Sequence, residues 1–325
     1  MITVQIHTAS CDDFLSCQGI RSYFESLISN LSHQTFKNFE LVYIDTYYED
    51  NKEFFSTIKS DFVVKHVPIH HNHRYWFDLG YTYISAAKNT GIIYADGELV
   101  ITFDDGEFFP ENLLKMYWES YKNGHLMHAY HHRMTSIEAT NGIVNTPIKG
   151  DVYINDSRKF ESDVCFHKNG TWMYAGTSFG LEDGLILNGF NEKLDACKSV
   201  EDCDFGMILT MLNKKFSINK RDGYLYIVDH PSYVDNKKKK EIKQLIAIEN
   251  YGMLLCSKEL FEFEANKYPI TDKHLAIIKR ETLKYRKFDP LSQENKENLT
   301  KWMNTPLFNL RQEREEIRKS KDWKW

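Results

Sequence analysis

Residues 85–111, SAAKNTGIIYADGELVITFDDGEFFPE, decide the fold. A predicted helix over residues 78–88 leads through glycine turns into an apolar strand, Glu98 to Phe103, and an acidic cluster, residues 104–107, follows directly. Apolar runs bounded by turn residues are typical of central parallel strands covered on both faces. Ligands of open α/β sheets lie beyond the carboxyl ends of such strands. Because adjacent carboxylates repel unless a cation joins them, the cluster indicates a cation site, with an exposed acidic turn as the alternative.

The chain before this stretch predicts parallel strands. Met1 to Thr8 alternates apolar and polar residues as a first strand does, and residues 19–32 place apolar side chains on one helical face. Residues 39–45 form a second buried strand that ends on Asp45, and residues 61–67 form a third. Strand, helix and strand in this order imply a parallel pair with a right-handed crossover. The sequence therefore predicts an α/β fold with a mostly parallel central sheet flanked by helices.

A second informative stretch follows an irregular region, residues 141–171, in which we expect a flexible loop. Residues 172–179 are strand-like, and Glu201-Asp202 opens a helix. Acidic residues in a first helical turn have a plain structural role against the helix dipole. A last strand, residues 224–230, ends on Asp229-His230, and a histidine in that position is more often structural than a ligand.

The central stretch resembles the family 2 glycosyltransferases of the GT-A fold. The resemblance lies in Ala87-Lys88-Asn89-Thr90-Gly91-Ile92, then Ala95-Asp96-Gly97-Glu98, then Asp104-Asp105. In that family an Asp-x-Asp cluster holds a divalent metal on the diphosphate of a nucleotide sugar. Either Asp104 with Gly106 or Asp105 with Glu107 is the equivalent pair. Counting back from Pro110 favours Asp105 as the metal ligand, with Glu107 as its partner.

The resemblance also implies donor-binding residues. Thr8 would lie under the nucleotide, and Asp45 would accept a hydrogen bond from the base, with capping of the next helix as its alternative role. The family's second Asp is replaced here by Thr46-Tyr47-Tyr48. Lys88 either neutralises a diphosphate oxygen or lies at the surface. Asn89 and Asp104 complete the expected donor site.

The later stretch resembles the Asn-Gly-Phe-Asp-Glu and Glu-Asp-x-Asp segments that family 2 enzymes share with animal galactosyltransferases and N-acetylgalactosaminyltransferases. By this resemblance Asp202 is the general base of an inverting reaction, Glu201 orients the acceptor, and Trp172 stacks on a sugar face. His230 would supply a third metal ligand. Imidazole with carboxylate oxygens suits Mn²⁺, whereas Mg²⁺ prefers oxygen ligands throughout.

Charge divides the 325-residue chain in two. Residues 1–235 carry 20 Lys and Arg against 32 Asp and Glu, or −12, whereas residues 236–325 carry 21 against 14, or +7. Together with the resemblance, this charge difference predicts a GT-A domain over residues 1–235 and a basic helical extension over residues 236–325. The extension either covers the sheet, forms a homodimer or grips an anionic acceptor. No apolar run reaches the length of a membrane span, and we expect a soluble, cytoplasmic protein.

Four histidines, His66, His70, His71 and His73, lie close together. Their spacing repeats no helical or strand ligand pattern beyond His71 and His73, and no Cys or carboxylate lies close by in the sequence. The sequence therefore predicts a polar loop rather than a metal site.

The resemblance implies a metal-dependent glycosyltransferase that uses Mn²⁺ or Mg²⁺ and a nucleotide diphosphate sugar, expected to be UDP-linked. The acceptor is a hydroxyl group on a glycan, a lipid-linked glycan, a protein or a hydroxylated nucleic-acid base. One alternative is a nucleotidyltransferase of similar fold, but residues 9–13 lack the glycine-rich and basic loop that such enzymes carry after the first strand. The other is a binding or scaffold protein with a degenerate site.

Overall fold

The fold of the chain, given by a computed structural model, is built on an eight-stranded central sheet. The strands are β1 Ile2–His7, β2 Phe39–Ile44, β3 Val63–Val67, β4 Leu99–Asp104, β5 Glu107–Phe108, β6 His125–His128, β7 Tyr130–Met134, β8 Ala139–Thr140, β9 Ile143–Val144, β10 Val152–Ile154, β11 Val164–His167, β12 Thr177–Gly180, β13 Lys215–Asn219 and β14 Tyr224–Val228. The helices are α1 Cys17–Ser32, α2 Tyr48–Ser56, α3 Tyr75–Asp78, α4 Ile84–Tyr94, α5 Leu113–Lys122, α6 Leu181–Ile186, α7 Glu201–Met211 and α8 Leu310–Lys319, with a 3₁₀ turn at His71–His73. The structure describes residues 1–8, 17–78, 83–134, 139–140, 143–144, 152–154, 164–167, 176–192, 195, 201–228 and 309–320.

The central sheet has the strand order β11-β13-β6-β12-β4-β1-β2-β3. Strands β4, β1, β2 and β3 pair in parallel, as β13 does with β6, whereas β12 runs antiparallel between β4 and β6. The carboxyl ends of β1, β2 and β4 therefore meet at one edge, as expected for an α/β ligand site. This confirms the predicted fold class, a mostly parallel sheet flanked by helices.

Strand β4 shows why the sheet is buried on both faces. Leu99, Ile101 and Phe103 pack into one apolar cluster with α1 and α5, while the alternate residue Val100 packs into a second cluster with α4, α6 and α7. All four side chains are 0% exposed. A strand with both faces covered has no need of polar residues, which explains its continuous apolar sequence.

A second sheet, with the order β10-β7-β14-β5, lies next to the acidic cluster. Its strand β14 pairs antiparallel with β5, so that Ile227 lies opposite Glu107. Strand β14 ends at Val228, two positions before His230. The chain path thus brings the last strand alongside the cluster.

Three sequence expectations need correction. Helix α4 begins at Ile84 and continues past Lys88 to Tyr94, because small and apolar residues let its whole length pack against the sheet. The interval 141–171 is not simply irregular, since β9, β10 and β11 fall within it. The sequence of residues 125–133, HLMHAYHHR, predicts one strand, whereas the structure forms two there, β6 and β7.

Only residues 309–320 are described from the predicted basic extension, and the boundary at residue 235 stays a prediction. Helix α8 packs on α4, and Leu310 is 1% exposed within the second apolar cluster. Arg314 donates a hydrogen bond to the carbonyl of Ile93 at 2.8 Å. The described part of the extension is thus integral to the core. Among the described residues, no helix has both the length and the apolar character needed to cross a membrane.

Candidate active site

The carboxyl ends of two neighbouring parallel strands form the floor of the candidate site. In the pairing of β1 with β4, His7 lies opposite Asp104. His7 Nε2 is 3.8 Å from Asp104 Oδ1, and the His7 side chain is buried whereas that of Asp104 is 52% exposed. The strand register therefore presents a carboxylate to solvent with an imidazole behind it.

The acidic cluster forms a tight turn between β4 and β5. Gly106 has φ of 77°, in the left-handed region that glycine adopts most readily. Glu107 is 0% exposed, and its Oε2 accepts the backbone N–H of Asp104 at 3.0 Å. Asp105, which is partly exposed, lies on the side of Tyr23, whose pKa is raised by burial and by the charges of Asp105 and Glu107. Glu107 thus supports the turn, while Asp104 and Asp105 are the accessible carboxylates.

Helix α4 delivers a buried lysine to the same edge. Lys88 donates a hydrogen bond to Asp202 Oδ1, and its Nζ is 3.6 Å from Glu201 Oε1. Burial alone would lower the pKa of Lys88, but the charges of Asp202, Glu201 and Asp104 outweigh burial and raise it above its usual value. Lys88 is therefore a permanent cation among carboxylates, and the alternative of a surface lysine is wrong, since the residue is 3% exposed.

Glu201 and Asp202 come from the first turn of α7. Burial and the charge of Asp202 raise the pKa of Glu201 to about 7, against the opposing effect of Lys88. Burial also raises the pKa of Asp202, while Lys88 opposes the shift and Asp104 adds to it. The structure thus brings Lys88, Asp104, Glu201 and Asp202 within electrostatic reach of one another.

The surrounding protein raises the pKa of the Asp104 carboxyl, and the charges of Lys88 and His131 oppose that shift. Water still reaches half of the Asp104 side chain, so its carboxylate oxygens are accessible from solvent.

The position of Lys88 depends on how α4 is held at its first turn. Asp195 accepts the backbone N–H groups of Ser85 at 2.7 Å and Ala86 at 2.9 Å, which satisfies two of the donors left open at a helix start. Gln5 of β1 donates to the Lys88 carbonyl at 2.9 Å. A Cβ at Gly91 would lie 2.1 Å from Gln5 Cδ, so that glycine is needed for this close approach. These contacts fix the helix against the sheet.

Asn89 is occupied by protein partners. Its Nδ2 donates to the carbonyl of Phe190 at 2.8 Å and to Glu192 Oε1 at 2.7 Å, and its Oδ1 accepts the N–H of Phe190 at 2.7 Å. Both amide donors are thus used within the protein, and contact of Asn89 with the sugar donor, which would displace one of these bonds, stays a prediction. Its role is to hold the turn around Gly189, a residue with φ of 73°.

Thr8 and Asp45 lie at the ends of β1 and β2. Thr8 Oγ1 accepts the backbone N–H of Thr46 at 3.1 Å. Asp45 is 1% exposed and accepts hydrogen bonds from the Tyr47 N–H at 2.8 Å and Asn51 Nδ2 at 3.1 Å, while one of its oxygens is 2.9 Å from His66 Nε2. Asp45 therefore organises the loop after β2. A hydrogen bond from a base would require one of these donors to be displaced.

Two of the expected site residues, Trp172 and His230, lie outside the described residues. Two residues of the site were not predicted from sequence. One is His7, one position before Thr8. The other is Asp195, which caps a helix distant in sequence, so the residues around it do not indicate that role. The strand end at His7 was a usable signal, since parallel neighbours end at one edge. Asp195 had no such signal.

The architecture and the acidic carboxyl edge are those of the GT-A-like class of α/β folds. Among solved structures, a crystal structure of TarS from S. aureus is similar to 87% of this chain with a TM-score of 0.51 and 15% identity, and the chain spans 42% of that TarS chain, less than half its length. A crystal structure of S. aureus TarS 1–349 in complex with UDP-GlcNAc matches 87% of this chain and 71% of its own, with a TM-score of 0.53 and 16% identity. At these identities the likeness establishes the fold. No protein-family model and no curated protein matches the chain.

Proposed function

We propose that this chain is a glycosyltransferase that moves a sugar from a UDP-sugar to a hydroxyl acceptor with inversion at the anomeric carbon. The observation that carries the proposal is the convergence of Lys88, Asp104, Glu201 and Asp202 at the carboxyl edge of the sheet. The likeness to TarS, a glycosyltransferase with a UDP-GlcNAc complex, supports the donor class. UDP-GlcNAc is therefore the first donor to test.

The residues present fit a divalent cation. Asp104 and Asp105 offer carboxylate oxygens at a solvent-accessible edge, and Mg²⁺ and Mn²⁺ both accept such ligands. Of the two, we propose Asp105 as the metal ligand, together with His230 beyond the end of β14. Burial of Glu107 makes it a poorer ligand than the sequence suggested. When bound, the cation supplies neutralisation of the diphosphate leaving group.

Asp202 is the proposed general base. Its carboxylate takes the proton of the acceptor hydroxyl while the acceptor oxygen bonds to the anomeric carbon. The bond from that carbon to the diphosphate oxygen breaks, and its electron pair leaves with UDP. Lys88 holds Asp202 in place and favours its ionised form, which a proton acceptor requires.

Glu201 is proposed to orient the acceptor, and its pKa of about 7 lets it carry a proton and donate a hydrogen bond near neutral pH. Trp172 is proposed to stack on a sugar face. The acceptor is a hydroxyl group of a glycan, a lipid-linked glycan, a protein or a nucleic-acid base. Dimerisation through the basic extension stays a prediction.

Calorimetry with UDP, with and without Mn²⁺, tests the donor site. We expect UDP binding that Mn²⁺ strengthens and that Asp105→Ala weakens. A hydrolysis screen over UDP- and GDP-sugars then identifies the sugar. Absence of UDP binding under both conditions would contradict the proposal and favour a binding or scaffold protein, and turnover of a nucleoside triphosphate would favour a nucleotidyltransferase.

A further inference from the structure

A cluster of two histidines and one glutamate lies between the 3₁₀ turn and α8. We call it the His–Glu cluster, and its members are His70, His73 and Glu313. Each offers one ligand atom, and these atoms lie within 4.8 Å of one another. All three residues are buried, with exposed fractions of 6%, 2% and 6%.

We propose that the His–Glu cluster is a zinc site that fastens α8 to the sheet domain. Two imidazoles and one carboxylate are a ligand set that Zn²⁺ binds readily, with a water in the fourth tetrahedral position. Mg²⁺ and Ca²⁺ prefer oxygen ligands and are less suited to this set. The histidines of this site are close together in sequence, but its carboxylate is not, because Glu313 lies 240 positions from His73.

The contacts around the cluster orient its ligand atoms. Glu192 is hydrogen-bonded to His73 Nδ1, so that His73 Nε2 faces Glu313. Asn72 donates to Glu313 Oε1 at 2.6 Å, which leaves Oε2 directed at His73. Carboxylate partners of a ligand histidine and donors to a ligand carboxylate are the usual supports of a metal site.

His70 supplies the observation that a purely ionic cluster does not explain. Its Nδ1 is buried and has no hydrogen-bond partner among the residues that the structure describes. A buried polar atom without a partner costs free energy, so a ligand that satisfies the imidazole would stabilise the fold. The backbone is already fixed there, since the His70 N–H donates to Thr90 Oγ1 of α4 at 3.1 Å.

Between His73 and Glu313 the geometry needs only a small adjustment. His73 Nε2 and Glu313 Oε2 are 2.7 Å apart. Tetrahedral zinc with its usual bond lengths holds two such atoms roughly 3.3 Å apart, so the side chains must separate by about half an ångström. Rotation of the Glu313 side chain on α8 can provide that movement.

Zinc titration of the tag-free, chelator-treated chain tests the site by calorimetry. We expect one equivalent to bind, with affinity reduced by at least about tenfold in His70→Ala and in Glu313→Gln. Glu313→Gln keeps the side chain's size, so it remains informative if His70→Ala fails to fold. His71→Ala is the matched control, because His71 is an exposed neighbour outside the cluster, and it should bind zinc as the unchanged chain does.

Asp105→Ala separates this site from the proposed catalytic metal and should retain zinc binding. Zinc should also raise the thermal midpoint and protect the amides of residues 310–319 from hydrogen exchange, since a ligand of the folded state stabilises what it contacts. Loss of zinc binding in Asp105→Ala, no binding at all, or unchanged binding in both His70→Ala and Glu313→Gln would overturn the inference. His73 would then be an imidazolium bridging two carboxylates. None of these results depends on whether UDP binds.

Discussion

The ammonium group of Lys88 donates a hydrogen bond to the carboxylate of Asp202, 114 positions later in the chain. The two residues sit on different helices, α4 and α7, so the contact joins the segment before the acidic cluster to the segment that carries the proposed base. Glu201 Oε1 lies 3.6 Å from the same ammonium nitrogen. One lysine thus balances two buried carboxylates.

Asp202→Asn should lower kcat by about 10²- to 10⁴-fold, because the amide cannot accept the acceptor proton. UDP affinity should stay unchanged, since Asp202 is not proposed to contact the nucleotide. Steady-state kinetics and calorimetry on the same preparation measure both quantities. Asp222→Asn, on an exposed turn before β14, is the control with unaltered kcat. A mutant at position 202 with near-normal kcat would remove Asp202 from the mechanism.

Lys88→Met should destabilise the chain by about 3 kcal/mol at pH 8, because it leaves the buried carboxylate of Glu201 and the largely buried one of Asp202 without their cation. At pH 5 the loss should be smaller, since Glu201 then carries a proton. Urea unfolding at both pH values measures the free energy of unfolding. Lys122→Met, which removes an exposed lysine near Glu98, should cost little at either pH. Equal losses for Lys88→Met at both pH values would contradict the charge argument.

Glu201 should make the chain less stable as the pH rises. Its pKa is about 7 in the folded chain against an ordinary value of 4.5, so between these values the folded state binds more protons than the unfolded state. The free energy of unfolding therefore falls with rising pH, by at most about 3 kcal/mol from this group.

Glu201→Gln lacks that titration, so its stability relative to the unchanged chain should increase from pH 5 to pH 8. Denaturant unfolding across that range measures the difference. Glu98→Gln, at an exposed carboxylate, serves as the control with a pH profile parallel to that of the unchanged chain. A parallel profile for Glu201→Gln as well would show that Glu201 ionises normally.

Gly97→Ala should cost about 3 kcal/mol, because an added Cβ would lie 2.4 Å from the backbone nitrogen of Thr3 and 2.6 Å from the carbonyl carbon of Ile2. Backbone atoms of a central strand cannot move aside. Gly124→Ala is the comparison: Gly124 has φ of 80° but nothing within 4 Å, so only conformational strain of about 1 kcal/mol is expected. Thermal unfolding ranks the two variants, and the reverse order would contradict the close approach of Gly97 to β1.

Leu310→Ala should destabilise the chain by about 3 kcal/mol, since it empties a core position shared with Ile92 and Phe190. Glu315→Ala, on the exposed side of α8, should leave stability within about 0.5 kcal/mol of the original. Urea unfolding of both variants measures these changes in the free energy of unfolding. If the two variants unfold alike, α8 does not contribute to the core.

The strands of the central sheet could be predicted from sequence, because a buried parallel strand is a short, mostly apolar run bounded by turn residues. The run ending at Asp104 and the run ending at Asp45 are both mostly apolar, with a carboxylate at the end. Parallel pairing then places their ends at one edge, which is why the acidic cluster was expected there. Helix α4 was misplaced at both ends, because its residues are buried all round and show little periodicity.

The contacts that complete the candidate active site could not be predicted from short stretches of sequence. The sequence leaves open whether Lys88 lies at the surface, because no residue near it in the chain indicates that α7 brings carboxylates to it. The sequence predicts a polar loop at the histidines, because no carboxylate lies near them in the chain. In the fold, however, His73 contacts Glu192, 119 positions away, and Glu313, 240 positions away. Side chains that meet only through tertiary packing leave no periodic signal.

Helix α8 meets α4 across a separation of 221 positions, from Arg314 to Ile93. Contacts so far apart in sequence are costly to close and form late in folding. During synthesis, residues 309–320 emerge from the ribosome after every described strand, so the surface of α4 that α8 contacts stays uncovered in the nascent chain until then. A chaperone, or α8 of a second copy, can compete for that surface during this interval.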